Sequence, residues 1–235
     1  MKPTIVRLSA QALLGRRRGL VLLLIPVVLL ILALVVRLLT DSSEGFDHVV
    51  ILGYTLALPL VALLAASAVL GPEVDDGSIV YLLAKPVSRH AIAVSKFVVA
   101  ELATLAFGAL PIALAGLVID PGDPRAALAW GAGAAVAGTA YTAFFLALAA
   151  LTRHAVVAGL LFVLIWEGVL GNLLAGIRWV AIGPWGRQLA SEISSRVADA
   201  NLSLGYAVLA AALVTLVGLW VTGDRLRSFT LRGDE

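Results

Sequence analysis

Two carboxylates lie inside otherwise apolar stretches of the sequence, and they are the side chains best placed to do chemistry. Glu101 lies near the start of one stretch. Glu167 lies about 12 residues into another, past the midplane of a bilayer if that stretch crosses it. A charged side chain at that depth is costly, so it should face a bundle interior or a wet cavity. We therefore interpret Glu101 and Glu167 as candidates for a translocation path. A hydrogen bond to a neighbouring helix is the structural alternative for Glu167.

The other candidates for catalysis or metal binding do not form a set. Ser67 and Ser95 have no histidine partner in an apolar stretch, and none of these stretches contains an aspartate, which argues against an intramembrane hydrolase. His48, His90 and His154 lie in separate places without metal-ligand spacing. The absence of cysteine excludes disulfides and thiolate metal sites. We therefore expect no metal site and no enzymatic activity in this chain.

The composition excludes several broad classes of protein. Hydrophobic residues make up 61% of the 235 positions and charged residues 14%, whereas a soluble domain has about 25% charged residues. Such a chain cannot cover a water-facing surface, which rules out a soluble globular protein, a disordered chain and a nucleic-acid binder. The formal net charge is only +2, so the basic residues are informative by position rather than by number.

The apolar stretches predict an all-α polytopic membrane protein with six transmembrane helices, because a helix needs about 20 apolar residues to cross a bilayer. The predicted spans are residues 19–39, 49–71, 94–119, 126–151, 155–177 and 202–223. Pro26, Pro59 and Pro111 lie within spans, where neighbouring helices can satisfy the freed carbonyl groups. The Gly- and Ala-rich fourth span favours close helix contact. We treat residues 1–235 as a single transmembrane domain.

The basic residues predict the orientation of these spans. Twelve of the 17 lysines and arginines lie on the side of the two termini. The other five, Arg37, Arg125, Arg178, Arg187 and Arg196, lie on the opposite side. The positive-inside rule then predicts cytoplasmic termini in a multi-pass protein of the cell inner or plasma membrane.

Two segments outside the spans are predicted to lie at the membrane surface. Residues 1–18 form an amphipathic pattern typical of an interfacial helix, with a disordered basic tail as the alternative. The first apolar stretch is too long for a cleavable signal peptide. The outer segment 178–201 carries Trp179 and Trp185, an anchoring signal, and should contain one or two short helices on or within the outer leaflet.

The cytoplasmic loop 72–93 contains a short amphipathic helix. Gly71 and Pro72 are expected to end the second span, and the acidic residues that follow favour the start of a new helix over about 76–84. Pro86 should stop this helix, because the residue before a proline is pushed out of the helical region. Ser88 is then a plausible N-cap of the third span. The apolar face of the short helix needs cover from lipid, its own bundle or another protein.

This loop resembles that of ABC-2 type transporter permeases. The pattern is E-x-x-x-G-[ST]-[ILV]-x-x-L-L-x-x-P-x-[ST]-R followed by a Lys-aromatic pair. The matching residues are Glu73, Gly77, Ser78, Ile79, Leu82, Leu83, Pro86, Ser88, Arg89, Lys96 and Phe97. The layout of the whole chain is also similar to that family, with an interfacial helix, six spans and a longer outer segment before the last span.

The resemblance implies that the loop is a coupling helix that inserts into a separate ABC ATP-binding subunit. Docking would then fall to Ile79, Tyr81, Leu82 and Leu83. The shape of the loop would depend on Glu73, Gly77, Pro86, Ser88 and Arg89, with Glu73 and Arg89 as a candidate pair. For Arg89 and Lys96, ordinary anchoring at the cytoplasmic interface is the alternative. The sequence has no phosphate-binding loop of the G-x-x-x-x-G-K-[ST] type, so ATP and Mg are expected on the partner subunit and no cofactor on this chain.

The resemblance therefore implies the membrane-spanning permease subunit of an ATP-driven transporter, in the export direction. Such a subunit works as a dimer with a second copy or with a sister permease. The alternative is an ion-coupled secondary carrier or channel that uses Glu101 and Glu167. Broken helices at matching positions of two repeats would favour that alternative, and the sequence shows no clear repeat.

Overall fold

The computed structural model describes residues 16–40, 42–75 and 88–228, and all regular elements within these ranges are helical. The α-helices are α1 Arg16–Leu39, α2 Ser42–Leu52, α3 Leu58–Asp75, α4 Arg89–Thr104, α5 Leu110–Ile119, α6 Pro124–Leu151, α7 Ala155–Leu161, α8 Gly171–Leu173, α9 Ile182–Ile193 and α10 Leu204–Ser228. The π-helical segments are π1 Gly53–Ala57, π2 Leu105–Ala109 and π3 Phe162–Leu170, and a 3₁₀ turn covers Ala175–Trp179.

Within the described ranges, five continuous helical stretches are long and apolar enough to cross a bilayer. They are Leu20–Leu39, Gly45–Leu70, Arg89–Ile119, Pro124–Leu151 and Leu204–Leu226. The predicted fifth span, 155–177, corresponds to a shorter apolar helix, Ala155–Leu170, whose 16 residues reach only about 24 Å at 1.5 Å per residue. The chain leaves the helical path after Leu173 and turns toward α9. The all-helical class is thus confirmed, and the prediction of six spans is supported for five of them.

Two of the π-helical segments have a cause in the sequence. Pro59 lies two residues after π1, and Pro111 lies two residues after π2. A proline inside a helix cannot donate its backbone nitrogen, and its ring crowds the carbonyl four residues earlier, so the preceding turn widens. The prolines inside these spans therefore shift the hydrogen-bond pattern by one residue instead of ending the helix.

The central helix of the bundle is α6, which packs against α3, α5, α9 and α10. Small residues let the neighbouring backbones come close to it. A Cβ at Gly133 would lie 2.5 Å from the carbonyl oxygen of Gly186 on α9, and a Cβ at Gly218 on α10 would lie 2.7 Å from the carbonyl oxygen of Ala143. The Gly- and Ala-rich composition of this helix is thus what allows it four close partners.

The start of the loop between the second and third spans differs from expectation. Helix α3 continues through Gly71 and Pro72 to Asp75, so Glu73 and Asp75 lie in its last turn and not at the start of a new helix. A proline near the end of a helix keeps a helical φ and removes only one hydrogen bond, so it need not stop the helix. The predicted helix 76–84, and with it Gly77, Ile79, Tyr81, Leu82, Leu83 and Pro86, lies outside the described residues, as does most of the predicted interfacial helix 1–18.

The helix bundle has two ends, the Ser88 end and the Arg196 end. The Ser88 end carries the start of α4, and Gly223 near the end of α10 contacts His90 there. The Arg196 end carries the ends of α1 and α5, where Arg37 donates a 2.6 Å hydrogen bond to the carbonyl of Val118. Arg37, Arg125 and Arg196, three of the five basic residues predicted for the side opposite the termini, lie at this end.

Candidate functional site

Ser88 is the N-cap of α4, as its position before Arg89 predicts. Its backbone is extended, with φ −63° and ψ 137°, and its hydroxyl oxygen accepts the backbone N–H of Ala91 at 3.3 Å. Capping satisfies one of the N–H groups that a helix leaves free in its first turn. The third transmembrane helix therefore starts at a defined residue, directly after residues 76–87.

Lys96 lies about two turns further along α4 and is fully buried. Its Nζ donates a 2.8 Å hydrogen bond to the backbone carbonyl of Val69 on α3. Its ammonium group therefore lies inside the bundle, whereas a lysine that acts only as an interfacial anchor extends this group toward the surface. Lys96 instead links the two helices that flank residues 76–87.

Glu101 belongs to a polar contact between α4 and α6. Its Oε1 accepts a 2.8 Å hydrogen bond from the hydroxyl of Thr139, and Thr104 and Thr142 share another hydroxyl hydrogen bond of 2.8 Å nearby. The carboxylate thus has a hydrogen-bond donor within the bundle, as a polar group in an apolar span requires.

Helix α9 begins inside the bundle and rises toward the Arg196 end. Its last residue, Ile193, accepts a 2.6 Å hydrogen bond from Arg125, the second residue of α6. Its first residues face Tyr141, because a Cβ at Gly183 would lie 3.4 Å from the hydroxyl oxygen of Tyr141. Arg125 and Tyr141 are 16 residues apart on α6, which is about 24 Å. The N terminus of α9 therefore lies deep in the apolar part of the molecule.

Glu167 caps that N terminus. Its Oε1 accepts the backbone N–H of Ile182 at 2.7 Å, and its Oε2 accepts that of Gly183 at 3.3 Å. Tyr54 on π1 donates a 2.6 Å hydrogen bond to the carbonyl of Gly183. A carboxylate is favourable here because the first turn of a helix presents free N–H groups and the positive end of the helix dipole.

A cavity of about 540 Å³ lies beside this capped helix end, within the size range of small-molecule sites. We call it the Glu167 cavity. Its walls come from α2 and π1, α6, π3, α9 and the segment after α9. The lining residues include Asp47, Ile51, Tyr54, Thr55, Leu56, Trp130, Tyr141, Val163, Leu164, Glu167, Gly168, Gly171, Gly183, Arg187 and Arg196. Glu101, the other carboxylate predicted for a translocation path, is not one of them.

Two buried donors that line the Glu167 cavity lack an acceptor. The Nε1 atom of Trp130 and the Nε atom of Arg187 are buried and have no hydrogen-bond partner within the part of the chain that the structure describes. Leaving a buried donor unsatisfied costs about 1–3 kcal/mol. The wall of the cavity thus offers two N–H groups to whatever occupies it.

Arg196 closes the Glu167 cavity toward its own end of the bundle. Its guanidinium group lies 2.7 Å from Asp120, 3.8 Å from Asp123 and 3.9 Å from Asp47, and 4.2 Å above the ring of Phe46. This hydrogen-bonded guanidinium holds the pKa of the Asp120 carboxyl below its usual range, against the small opposing effect of burial. One side chain therefore ties three separate stretches of chain together.

Most residues of the Glu167 cavity could not be predicted from the sequence. Tyr54, Trp130 and Tyr141 are aromatic residues within apolar spans and carry no distinguishing pattern. Arg187 and Arg196 are two of the five basic residues predicted for the side opposite the termini. Their presence on that side, where basic residues are few, was the available sequence signal for a function. Their convergence depends on the path of α9, which the spacing of residues does not reveal.

Comparison with known protein families gives a match for this chain. Residues 15–169, about two thirds of the chain, match the family described as ABC-2 family transporter protein. The match includes the loop motif at 73–97 and ends just after Glu167. A comparison with curated proteins gave no match. Because the family match covers more than half of its length, the chain belongs to the ABC-2 family of transporter proteins.

Proposed function

We propose that this chain is the membrane-spanning permease subunit of an ATP-driven ABC transporter that works in the export direction. The observation that carries the proposal is the family match over residues 15–169, which includes the whole loop between the second and third spans. The five long apolar helices agree with a membrane subunit. Helices α7 and α8 with π3 would form the remaining span of a six-span layout, with both termini in the cytoplasm.

The loop at 76–87 is the proposed site of coupling to a separate ATP-binding subunit, which would carry ATP and Mg. The described ends of this loop support a mechanical role. Helix α3 runs to Asp75, α4 starts at the Ser88 cap, and Lys96 ties α4 to the carbonyl of Val69 on α3. A force on the loop would therefore reach both helices together. Ile79, Tyr81, Leu82 and Leu83 would provide the apolar docking face.

Replacement of the docking leucines tests the proposal. Leu82→Asp combined with Leu83→Asp should abolish copurification of an ATP-binding protein with the tagged permease from its native membrane, because two charges cannot enter an apolar groove. The matched control is Leu82→Met with Leu83→Met, which keeps the apolar face and should keep the partner. An unchanged amount of ATP-binding protein on the aspartate variant would contradict the docking role.

Transport itself separates this function from an ion-coupled carrier or channel. Vesicles that contain the permease and its ATP-binding partner should move cargo only when ATP is present and hydrolysed. Transport that persists without ATP and follows an ion gradient would overturn the ATP-driven mechanism. It would favour the alternative in which carboxylates such as Glu167 carry the coupled ion.

A further inference from the structure

The Glu167 cavity combines an open apolar side with a polar inner wall. Ile51, Leu56 and Leu164 line it and are 44%, 39% and 54% exposed, so the cavity reaches the apolar outer surface of the bundle between the second span and π3. Trp130, which is 4% exposed, forms part of the inner wall. Because this surface is apolar, an apolar group can enter the cavity through it without crossing water.

The volume of the cavity follows from its local backbone. The walls include the π-helical segments π1 and π3, whose turns are wider than those of an α-helix, beside α-helical residues such as Ile51. Three lining residues, Gly168, Gly171 and Gly183, have no side chain to fill the space. Residues of three separate elements therefore leave this space open.

The polar groups of the inner wall define what can bind. Glu167 is occupied by the N–H groups of Ile182 and Gly183, and Arg196 is hydrogen-bonded to Asp120. Asp47 also lines the cavity, with its carboxylate 3.9 Å from Arg196. The buried lining atoms that have no hydrogen-bond partner within the described ranges are both donors, Nε1 of Trp130 and Nε of Arg187. Arg187 also brings a positive charge, and a guanidinium group binds oxyanions with directed hydrogen bonds.

We infer that the Glu167 cavity binds an amphiphile with an anionic, oxygen-rich head group and an apolar chain. The head would accept hydrogen bonds from Arg187 and Trp130, and the chain would leave between Ile51 and Leu164. The role of the cavity as the place where the transporter takes up its cargo from the membrane rests on the proposed function. The binding itself needs only this chain.

The probe is radiolabelled dodecyl phosphate, added to the purified full-length chain in the neutral detergent dodecyl maltoside. Saturable binding is expected, and a tenfold excess of dodecyltrimethylammonium, which has the same chain and a cationic head without acceptors, should not displace it. Displacement by the cationic amphiphile, or the absence of saturable binding, would overturn the inference.

Variants assign the binding to the two donors. Arg187→Gln should weaken binding at least tenfold, and Trp130→Phe, which keeps the ring and removes the N–H, about threefold. The matched control is Arg178→Gln. Arg178 also has a buried Nε without a described acceptor, yet it does not line the cavity, so binding should be unchanged. Equal loss in Arg178→Gln, or full binding in Arg187→Gln, would contradict the assignment. Arg187→Lys retains the charge and serves as the folded comparison if the glutamine variant aggregates.

Native mass spectrometry of the same preparations identifies the source of the ligand. A phospholipid retained by the wild-type chain and by Arg178→Gln, and lost in Arg187→Gln, indicates a lipid of the bilayer. Binding of dodecyl phosphate to a chain without retained phospholipid indicates that the ligand is not a phospholipid of the bilayer. Both results support the site. If dodecyl phosphate did not bind, the association with an ATP-binding subunit would not be affected. The two proposals can therefore be refuted independently.

Discussion

The carboxylate of Glu167 accepts the backbone N–H of Ile182 at 2.7 Å, although the two residues belong to different helices. This contact explains how a helix can begin in the apolar interior. The first turn of any helix has free N–H groups, and inside a bilayer water is not available to satisfy them. Glu167 supplies both of its oxygens for this purpose, which accounts for an acidic residue at this depth.

Removal of this cap should destabilise the fold. Glu167→Ala leaves the N–H groups of Ile182 and Gly183 without acceptors, and we expect a loss of about 2–4 kcal/mol in the free energy of unfolding. Glu167→Gln keeps one acceptor oxygen and should lose about half as much. Unfolding by denaturant in mixed micelles measures both values.

Glu192 provides the matched control for this series. It is an exposed glutamate on α9, the helix that Glu167 caps, and Glu192→Ala should change the free energy of unfolding by less than about 0.5 kcal/mol. If Glu167→Ala were as stable as Glu192→Ala, the capping role would be wrong. Full transport by Glu167→Gln would show that the negative charge has no part in transport and leave a structural role.

Helix ends and membrane spans could be predicted where a few neighbouring residues determine them. Ser88 is an N-cap because it follows a proline by two residues and precedes an apolar helix, and the structure confirms it. The fourth span is rich in glycine and alanine, and it is the helix with the most close neighbours. Local rules failed at Pro72, because a proline weakens a helix without necessarily ending it.

The cavity could not be predicted, because its parts meet only through the path of one short helix. Glu167 and Ile182 are 15 residues apart, and Trp130 and Arg187 are much further apart in sequence. The segment 178–201 was expected at the outer leaflet, and its tryptophans favour a surface position. The free N–H groups of α9 and the carboxylate of Glu167 satisfy each other. Neither segment alone predicts this contact from its sequence.

The contact between α6 and α9 should tolerate no side chain at Gly186. A Cβ there would overlap the carbonyl oxygen of Gly133 and would also meet the hydroxyl of Tyr54 at 2.5 Å. Because the first obstacle is backbone, we expect Gly186→Ala to cost about 1–3 kcal/mol in stability. The thermal unfolding temperature in detergent, followed by tryptophan fluorescence, reports the change.

Gly205→Ala is the control for that substitution. A Cβ at Gly205 would have no heavy atom within 4 Å, and this residue lies in the first turn of α10. Alanine there should leave the unfolding temperature unchanged or raise it slightly, because it restricts the unfolded chain. Equal effects of the two substitutions would contradict the close approach of the backbones.

The pair of Asp120 and Arg196 should make part of the stability sensitive to acid. Arg196 lowers the pKa of Asp120 in the folded state relative to the unfolded chain, where an aspartate titrates near about 3.9. The folded state is therefore favoured at all pH values above about 4, and this contribution is lost as the pH falls through the lower folded pKa. Unfolding temperatures measured from pH 7 to pH 3 should show it.

Asp120→Asn removes this titration and should flatten the acid limb of the stability profile, with a lower stability at pH 7. Asp224→Asn, at an exposed position on α10, is the matched control and should retain the full acid limb. An acid limb of wild-type size in Asp120→Asn would show that other carboxylates cause it.

The buried side chain of Lys96 should matter more for packing than for its charge. Lys96→Ala leaves a void at a position without solvent exposure and should cost about 2–4 kcal/mol. Lys96→Met fills most of that volume and loses the hydrogen bond to Val69, worth about 1 kcal/mol. Denaturant unfolding should therefore rank Lys96→Ala below Lys96→Met, with Arg153→Ala, at an exposed turn position, close to wild type. Equal losses in the two lysine variants would show instead that the ammonium group dominates, and that the link between α3 and α4 beside residues 76–87 is electrostatic.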